Sequence, residues 1–234
     1  VLLEGKNAVI YGGAGRIGTA VAMAFAREGA KVHLAGRTLS TMTTVVEKIQ
    51  AFGGKAEAAL VDALDEVDVD EHVDIMAACS GSVDISFNLM ALDDVRGIPL
   101  ADMELRDFER PILNAIRSQF ITTRAAARHM KCQESGVILM FGHSSSGEQS
   151  HLGGFQVALG ALDVMRCQLS DELAPKGIRV LTIDSAGVGE TVPLDDVGTV
   201  AAFAASDLAR SMTGTSLGVA QDRPRPTYRT RAVG

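Results

Sequence analysis

The sequence predicts an α/β fold: a doubly wound parallel sheet of about seven strands, with helices on both faces, in a single domain over residues 1–234. Three observations predict it. Short apolar runs alternate with longer amphipathic or Ala-rich stretches, glycines punctuate most junctions, and no linker, internal repeat or low-complexity tract divides the chain.

Asn7 to Tyr11 (N-A-V-I-Y) reads as a short buried strand that breaks at Gly12-Gly13. Ile17 to Glu28 is Ala-rich with well-spaced branched residues and stops at Gly29, as a helix does. Lys31 to Ala35, with Val32 and Leu34, is a second strand turned by Gly36-Arg37-Thr38. Strand, glycine loop, helix and strand form the first half of a crossover unit, and such units are almost always parallel and right-handed. The pattern repeats with a helix at Ser40 to Phe52, a strand at Lys55 to Val61, a helix at Val67 to Ala78 and a strand at Val83 to Asn88. A crossover helix can fill Asp102 to Met130, with Pro111 at a kink or at the first turn of a second segment. Val137 to Phe141 (V-I-L-M-F) is apolar throughout, the signature of a central strand covered on both faces. A small-residue loop, Gly142 to Gly147, precedes a helix at Phe155 to Ala174, a strand at Ile178 to Ile183, a last helix near Thr199 to Ala205, and a final stretch at Gly214 to Val219.

Composition narrows the class. Aromatic residues are only 4% and Trp is absent, so the core must be built from Ala, Val, Leu, Ile and Met. The net charge of −7 argues against nonspecific nucleic-acid binding. The terminal arginines Arg223, Arg225, Arg229 and Arg231 are expected to form a solvated or interface-draped segment instead of a binding tail. Cys79, Cys132 and Cys167 have no close pair, which argues against disulfides or a metal knuckle and places them in the core or on helices. No histidine spacing suggests a metal site. No apolar run is long enough to span a membrane and Val1 to Gly5 does not resemble a signal peptide, so a cytoplasmic protein is expected.

The loop Gly12-Gly-Ala-Gly15-Arg16-Ile17-Gly18 spaces Gly by three at the first strand-to-helix junction. Glycine there permits a tight turn and lets backbone N–H groups reach a pyrophosphate, whose charge the helix N-terminus favours. The usual acidic partner at the end of the second strand is missing, since that junction reads Ala35-Gly36-Arg37. Arg16 and Arg37 either clamp a ribose 2′-phosphate, which favours NADP over NAD, or simply solvate the surface. Asp62 and Asn88 end the third and fourth strands, where such sheets bind ligands. Asp62 either contacts adenine or caps its turn; Asn88 either braces the backbone or does the same.

The glycine loop, Val61-Asp62, Val83 to Asn88 (V-D-I-S-F-N), Leu173 to Val180 (L-A-P-K-G-I-R-V), Ala201 to Asp207 (A-A-F-A-A-S-D) and Met212 to Thr215 (M-T-G-T) together resemble the short-chain dehydrogenase/reductase family over nearly the entire chain. The resemblance implies a Rossmann-type sheet, a nicotinamide cofactor, a small carbonyl or alcohol substrate, and a homodimer or homotetramer. It also implies a Ser that stabilises the substrate oxygen and a Tyr, its pKa lowered by a Lys, that transfers the proton.

Against that pattern the chain departs sharply. Aligned on L-A-P-K-G-I-R-V, the Tyr and Lys positions are Phe155 and Leu159, which have neither an exchangeable proton nor a charge. The Ser position falls at Gly142 or His143. His143 either donates the proton, with Ser144 or Ser145 orienting the carbonyl, or the loop is polar filler whose hydroxyls satisfy backbone groups. The family Asn is replaced by Ala115, with Asn114 one residue earlier. In the loop 186–191, the resemblance implies that Val188 and Thr191 meet the nicotinamide carboxamide. The chain then passes from Thr191-Val192-Pro193 almost directly to Leu194-Asp195-Asp196. Either the substrate side is open or a covering segment between 193 and 194 is missing; the second is expected, because lids are the part most prone to disorder. The expected function is an NADP-dependent oxidoreductase with non-standard proton transfer. A cofactor-binding but redox-silent protein, serving in assembly or non-redox chemistry, is the alternative. Its pocket walls are expected in the loop from Met90 to Leu105.

Overall fold

In the computed structural model, which describes residues 1–142, 150–185 and 193–219, the strand and helix alternation closes into a seven-stranded sheet. Its strands are β1 (Asn7–Tyr11), β2 (Lys31–Gly36), β3 (Lys55–Leu60), β4 (Ile85–Asn88), β5 (Gly136–Gly142), β6 (Ile178–Ser185) and β7 (Ser216–Val219). All pair in parallel, in the order β3-β2-β1-β4-β5-β6-β7. The helices are α1 (Arg16–Arg27), α2 (Leu39–Ala51), α3 (Glu66–Ser80), α4 (Leu105–Gln133), α5 (Gly154–Leu173) and α6 (Leu194–Ala205). The doubly wound class expected from the sequence is the one observed.

The strand period of two divides the core into two layers. In β1, Ala8 and Ile10 join Val21, Phe25, Val45, Ile49, Val197 and Ala201, from α1, α2 and α6. Val9 and Tyr11 face the other way, toward Val69, Val73, Ile121, Ala125 and Met130 of α3 and α4. Aliphatic side chains and Ala dominate both layers. Because the chain runs outward from β1 to β3 and then returns to place β4 on β1's other side, the topological switch lies between β1 and β4, where such sheets open a crevice at their carboxyl ends.

Boundaries shift where side chains take over backbone bonding. β4 begins at Ile85 instead of Val83, because the amide of Gln133 holds the Val83 backbone from both sides: its Oε1 accepts the Val83 N–H (2.9 Å) and its Nε2 donates to the Val83 carbonyl (3.0 Å). α4 is one helix of 29 residues with Pro111 inside it, so no second segment begins at that proline. The last helix starts at Leu194, five residues earlier than its apolar pattern suggests, with Pro193 as N-cap and Asp195 and Asp196 in its first turn. The Asp196 N–H donates to the Pro193 carbonyl (3.1 Å), so Pro193 and Leu194 are successive residues of one helix start. Cys79, Cys132 and Cys167 sit on α3, α4 and α5 and are exposed, outside the core. No helix among the described residues is long and apolar enough to cross a membrane.

One buried group gives the fold a pH dependence. His33 on β2 is only 2% exposed, and its Nδ1 lies 2.6 Å from Glu57 Oε1 on β3. Burial pushes its imidazole down from 6.5 to about 4, outweighing the pull of Glu57 in the other direction. The folded chain therefore binds fewer protons than the unfolded chain between these two values, and stability held above 6.5 is lost as pH falls toward 4. Urea unfolding at a series of pH values should show this loss, and His33→Gln should flatten that part of the profile; an identical slope in the variant would exclude His33 as the cause.

Candidate functional site

The switch point is closed by backbone alone. Tyr11 is paired with Asn88, and the Leu89 N–H donates to the Tyr11 carbonyl (2.9 Å), so the exits of β1 and β4 lie side by side. Gly12 turns the chain there with φ +72°, and a Cβ on it would meet the Leu89 carbonyl oxygen at 2.5 Å. A Cβ on Gly18, one turn into α1, would collide with the Gly12 carbonyl oxygen and the Gly13 backbone. The two glycines thus let α1 begin directly over the end of β1.

The helix that begins there is left uncapped. Gly15 is its N-cap, with no side-chain hydrogen bond, and no acidic residue lies in the first turn. In α3, by contrast, Asp65 accepts from the N–H groups of Val67 (2.9 Å) and Asp68 (3.1 Å), with Glu66 and Asp68 in the first turn. The first-turn amides of Arg16, Ile17 and Gly18 therefore have no intrahelical acceptor. An anion placed on them gains about 0.3–1 kcal/mol from the helix end alone, more where solvent is excluded.

Two adjoining grooves meet at this turn. One, of about 250 Å³, passes from Gly12 and Gly15 over Gly36, Arg37 and Thr38 to Asp62. The other, of about 400 Å³, extends from Gly15 to Gly18 past Asn88 and Met90 to Phe141, Phe155 and Leu159. Gly15, Leu89, Met90 and Ala91 line both. Every described residue singled out in the sequence for cofactor binding, namely Gly12, Gly15, Arg16, Ile17, Gly18, Arg37, Asp62 and Asn88, lines one groove or the other. His143, Ser144, Ser145, Val188 and Thr191 lie outside the described residues, as do the terminal arginines.

Asp62 caps its turn, its Oδ1 accepting the Leu64 N–H (3.0 Å), while lining the first groove. Buried Asn88 does both: its Oδ1 accepts the Met90 N–H, capping the turn as Asp62 does, and its Nδ2 donates to Ser118 Oγ, bracing the strand exit, each at 3.0 Å. Arg16 and Arg37 are exposed and have no acidic partner among the described residues, and they line different, adjoining grooves. Arg16 is the first residue of α1, already beyond the turn.

At the Tyr, Lys and Asn positions implied by the family resemblance, the second groove has no proton-transferring side chain. Phe155 and Leu159 form part of its wall, and Ala115 faces it. Gly142 ends β5, where a Cβ would meet Thr182 Cγ2 at 2.7 Å; the Thr182 methyl fills the space. Asn114 does not stand in for the missing Asn, because its Nδ2 donates to the Leu92 carbonyl (3.2 Å). Tyr11 is buried with no hydroxyl partner among the described residues, and burial, reinforced by Asp70, raises its pKa.

The sequence reading missed Arg96. Its guanidinium carbon lies 4.2 Å from the centroid of the Phe155 ring, and its Nε donates to Asp94. The loop carrying both residues is tied down at two points. Asn114 holds the Leu92 carbonyl, and the Gly97 N–H donates to the His151 carbonyl (2.8 Å) at the approach to α5. A charged pair inside the loop after β4 was the available signal, but no periodicity marks it.

The sequence matches the short chain dehydrogenase family over residues 6–196. The uncharacterized oxidoreductase YxbG of Bacillus subtilis (strain 168) is 32% identical over 195 residues, covering 82% of this chain and 70% of that protein. Tropinone reductase-like 1 of Erythroxylum coca is 30% identical over 247 positions, covering 92% of this chain and 89% of that one. That alignment is longer than the whole chain of 234 residues, so the relative carries residues with no counterpart here. Among solved structures, a short-chain type dehydrogenase/reductase from Mycobacterium marinum superposes with a TM-score of 0.84 at 26% identity, covering 93% of this chain and 94% of that one. A 7α-hydroxysteroid dehydrogenase complexed with NADH and 7-oxo glycochenodeoxycholic acid gives 0.83 at 25% identity, covering 94% of each.

If the bare α1 entrance receives an anion, a carboxylate built into it should compete. Gly15 has the extended backbone of an ordinary N-cap, so Gly15→Asp is expected to keep or slightly raise Tm while weakening nicotinamide nucleotide binding by about tenfold or more. Calorimetric titration of both proteins checks this; unchanged affinity with the cap in place would remove α1 from the binding site.

Proposed function

Because this chain belongs to the short-chain dehydrogenase family, we propose that it is an NADP-dependent oxidoreductase of a carbonyl or alcohol substrate whose proton chemistry has moved from the Phe155 and Leu159 positions to the loop after β5. The observation that carries this reading is the uncapped entrance of α1 at Gly15, which lines both grooves and is brought over the end of β1 by the side-chain-free contacts of Gly12 and Gly18. The donor set there fits a dinucleotide. Amides of Arg16, Ile17 and Gly18 would hold the diphosphate, Asp62 and Arg37 would border the adenosine half, and Asn88, which fixes the strand exit, would lie toward the nicotinamide half.

NADP is favoured over NAD by Arg37. The end of β2 carries a guanidinium group where a ribose with free hydroxyls would call for a carboxylate. A 2′-phosphate there would meet Arg37, beside the N-cap Thr38 of α2, which has no acidic residue in its first turn. When bound, the nicotinamide supplies or accepts the hydride. The chain's own task is to hold the substrate in the second groove and move a proton. We assign the proton to His143, with Ser144 or Ser145 orienting the substrate oxygen, and the carboxamide contacts to Val188 and Thr191.

A second reading is favoured by a specific observation: Phe155, Leu159 and Ala115 leave the groove wall without a proton donor at the Tyr, Lys and Asn positions that the family resemblance implies. On that reading the protein binds NADP(H) and is redox-silent, serving in assembly or non-redox chemistry. Either way we propose a cytoplasmic homodimer or homotetramer. Leu113, Ile116 and Phe120 on α4 and Val157 and Val164 on α5 form exposed apolar stripes on neighbouring helices, suited to burial against another copy. The additional residues of longer relatives would insert at the junction of Pro193 and Leu194, above the substrate side.

Two measurements test the assignment. Arg37→Ala should weaken NADPH binding by roughly ten- to a hundredfold, the value of a charge-assisted contact, and leave NADH within about twofold. Equal losses for both nucleotides would withdraw the 2′-phosphate role. Substrate-dependent NADPH consumption across a carbonyl panel should fall about a hundredfold in His143→Ala or Ser144→Ala. No loss in either would remove the loop from catalysis, and binding without any oxidation would select the redox-silent reading.

A further inference from the structure

On the substrate half of the cleft the polar groups are nearly all committed. Asn88 is spent on Met90 and Ser118, Ser118 on Asn88 and the Ala115 carbonyl, and the Gln119 amide nitrogen on Thr123. The wall is otherwise apolar, with Leu92, Phe141, Phe155, Leu159 and Leu162. Its one acidic residue, Asp94, is engaged by Arg96. Arg96 differs from its neighbours in this respect. Only its Nε is used, and neither Nη atom has a partner among the described residues.

The guanidinium group is also held in place. Its plane is supported by the Phe155 ring, Asp94 fixes one edge, and its loop is anchored to α4 through Asn114 and to the approach to α5 through Gly97 and His151. A positioned guanidinium whose two Nη groups have no partner among the described residues, beside polar groups largely engaged with one another and an apolar wall, is a receptor for a planar anion, because a carboxylate can take both N–H groups at once. The ordering cost that a long exposed side chain normally carries is already met by the stacking and by Asp94.

We propose that Arg96, stacked on Phe155, binds the carboxylate of the substrate, so that the cleft selects carbonyl or hydroxy compounds bearing a carboxylate. Phe155 then has a function of its own: it is the platform that holds the anion receptor where a proton donor would otherwise stand. This rests on reading the second groove as the substrate half beside a bound nicotinamide. Asp94 limits the site to one negative charge, since a doubly charged phosphate would face that carboxylate.

The test uses full-length protein saturated with NADPH, titrated calorimetrically with 2-oxo acids of increasing chain length, with their methyl esters, and with inorganic phosphate. The wild type should bind at least one acid about tenfold more tightly than its ester, and phosphate more weakly than that acid. In Arg96→Gln the acid and its ester should bind alike, with NADPH affinity within about twofold of wild type; Arg96→Lys, which keeps the charge without the fork, should fall between. An acid preference that survives in Arg96→Gln, equal binding of acid and ester by the wild type, or no uptake of any acid overturns the proposal. Failure of NADPH to bind would instead count against the proposed function, and the same comparison of acid with ester on the cofactor-free protein would still decide the role of Arg96.

Discussion

The arrangement depends on the contact of three backbone segments at the switch point: the turn at Gly12, the first turn of α1 at Gly18, and the exit of β4 at Leu89. A side chain at Gly12 would push against the Leu89 carbonyl, and one at Gly18 would push against Gly12 itself. While both remain bare, α1 starts directly above the end of β1 with its amides unsatisfied and uncapped. Both grooves share that turn as a wall, so the position of any ligand follows from it.

The sheet explains why the turn sits where it does. Pairing of Tyr11 with Asn88 brings together two strand ends separated in sequence by three crossover units, and Asn88 secures the junction through Met90 and Ser118. The substrate half is built on different supports. Its floor is the β4 and β5 ends, while its wall is the start of α5 and a loop fastened from two sides, so the cleft stands without a proton donor at Phe155 or Leu159. The groups at these positions pack: a methyl of Thr182 against Gly142, a ring at Phe155 beneath Arg96, and Leu159 in the groove wall.

Much of this was legible in the sequence because it depends on local regularities. β1, with every residue buried, was bounded to the residue by its apolar run and the glycines after it. Phe155, singled out by its distance back from L-A-P-K-G-I-R-V, stands at the start of α5 and lines the second groove. What escaped the sequence depends on contacts between distant residues. Val83 reads as strand, but the Gln133 side chain takes its backbone bonds. Asn114 looks like a displaced relay residue, whereas its amide fastens a loop. Arg96 shows in the sequence only as one of a charged loop pair with Asp94, because its ring partner Phe155 is 59 positions away along the chain. Arg16 and Arg37 look equivalent by composition and are separated only by the geometry of the turn, which gives each its own groove.

The central claim is that the amides opening α1 receive the diphosphate of a nicotinamide nucleotide. Amide chemical shifts and hydrogen exchange at Arg16, Ile17 and Gly18, followed as NADPH is added, test it most directly. The account predicts saturable shifts and slowed exchange at these three residues. NADPH binding that leaves all three unaltered, or no binding at all, would contradict it.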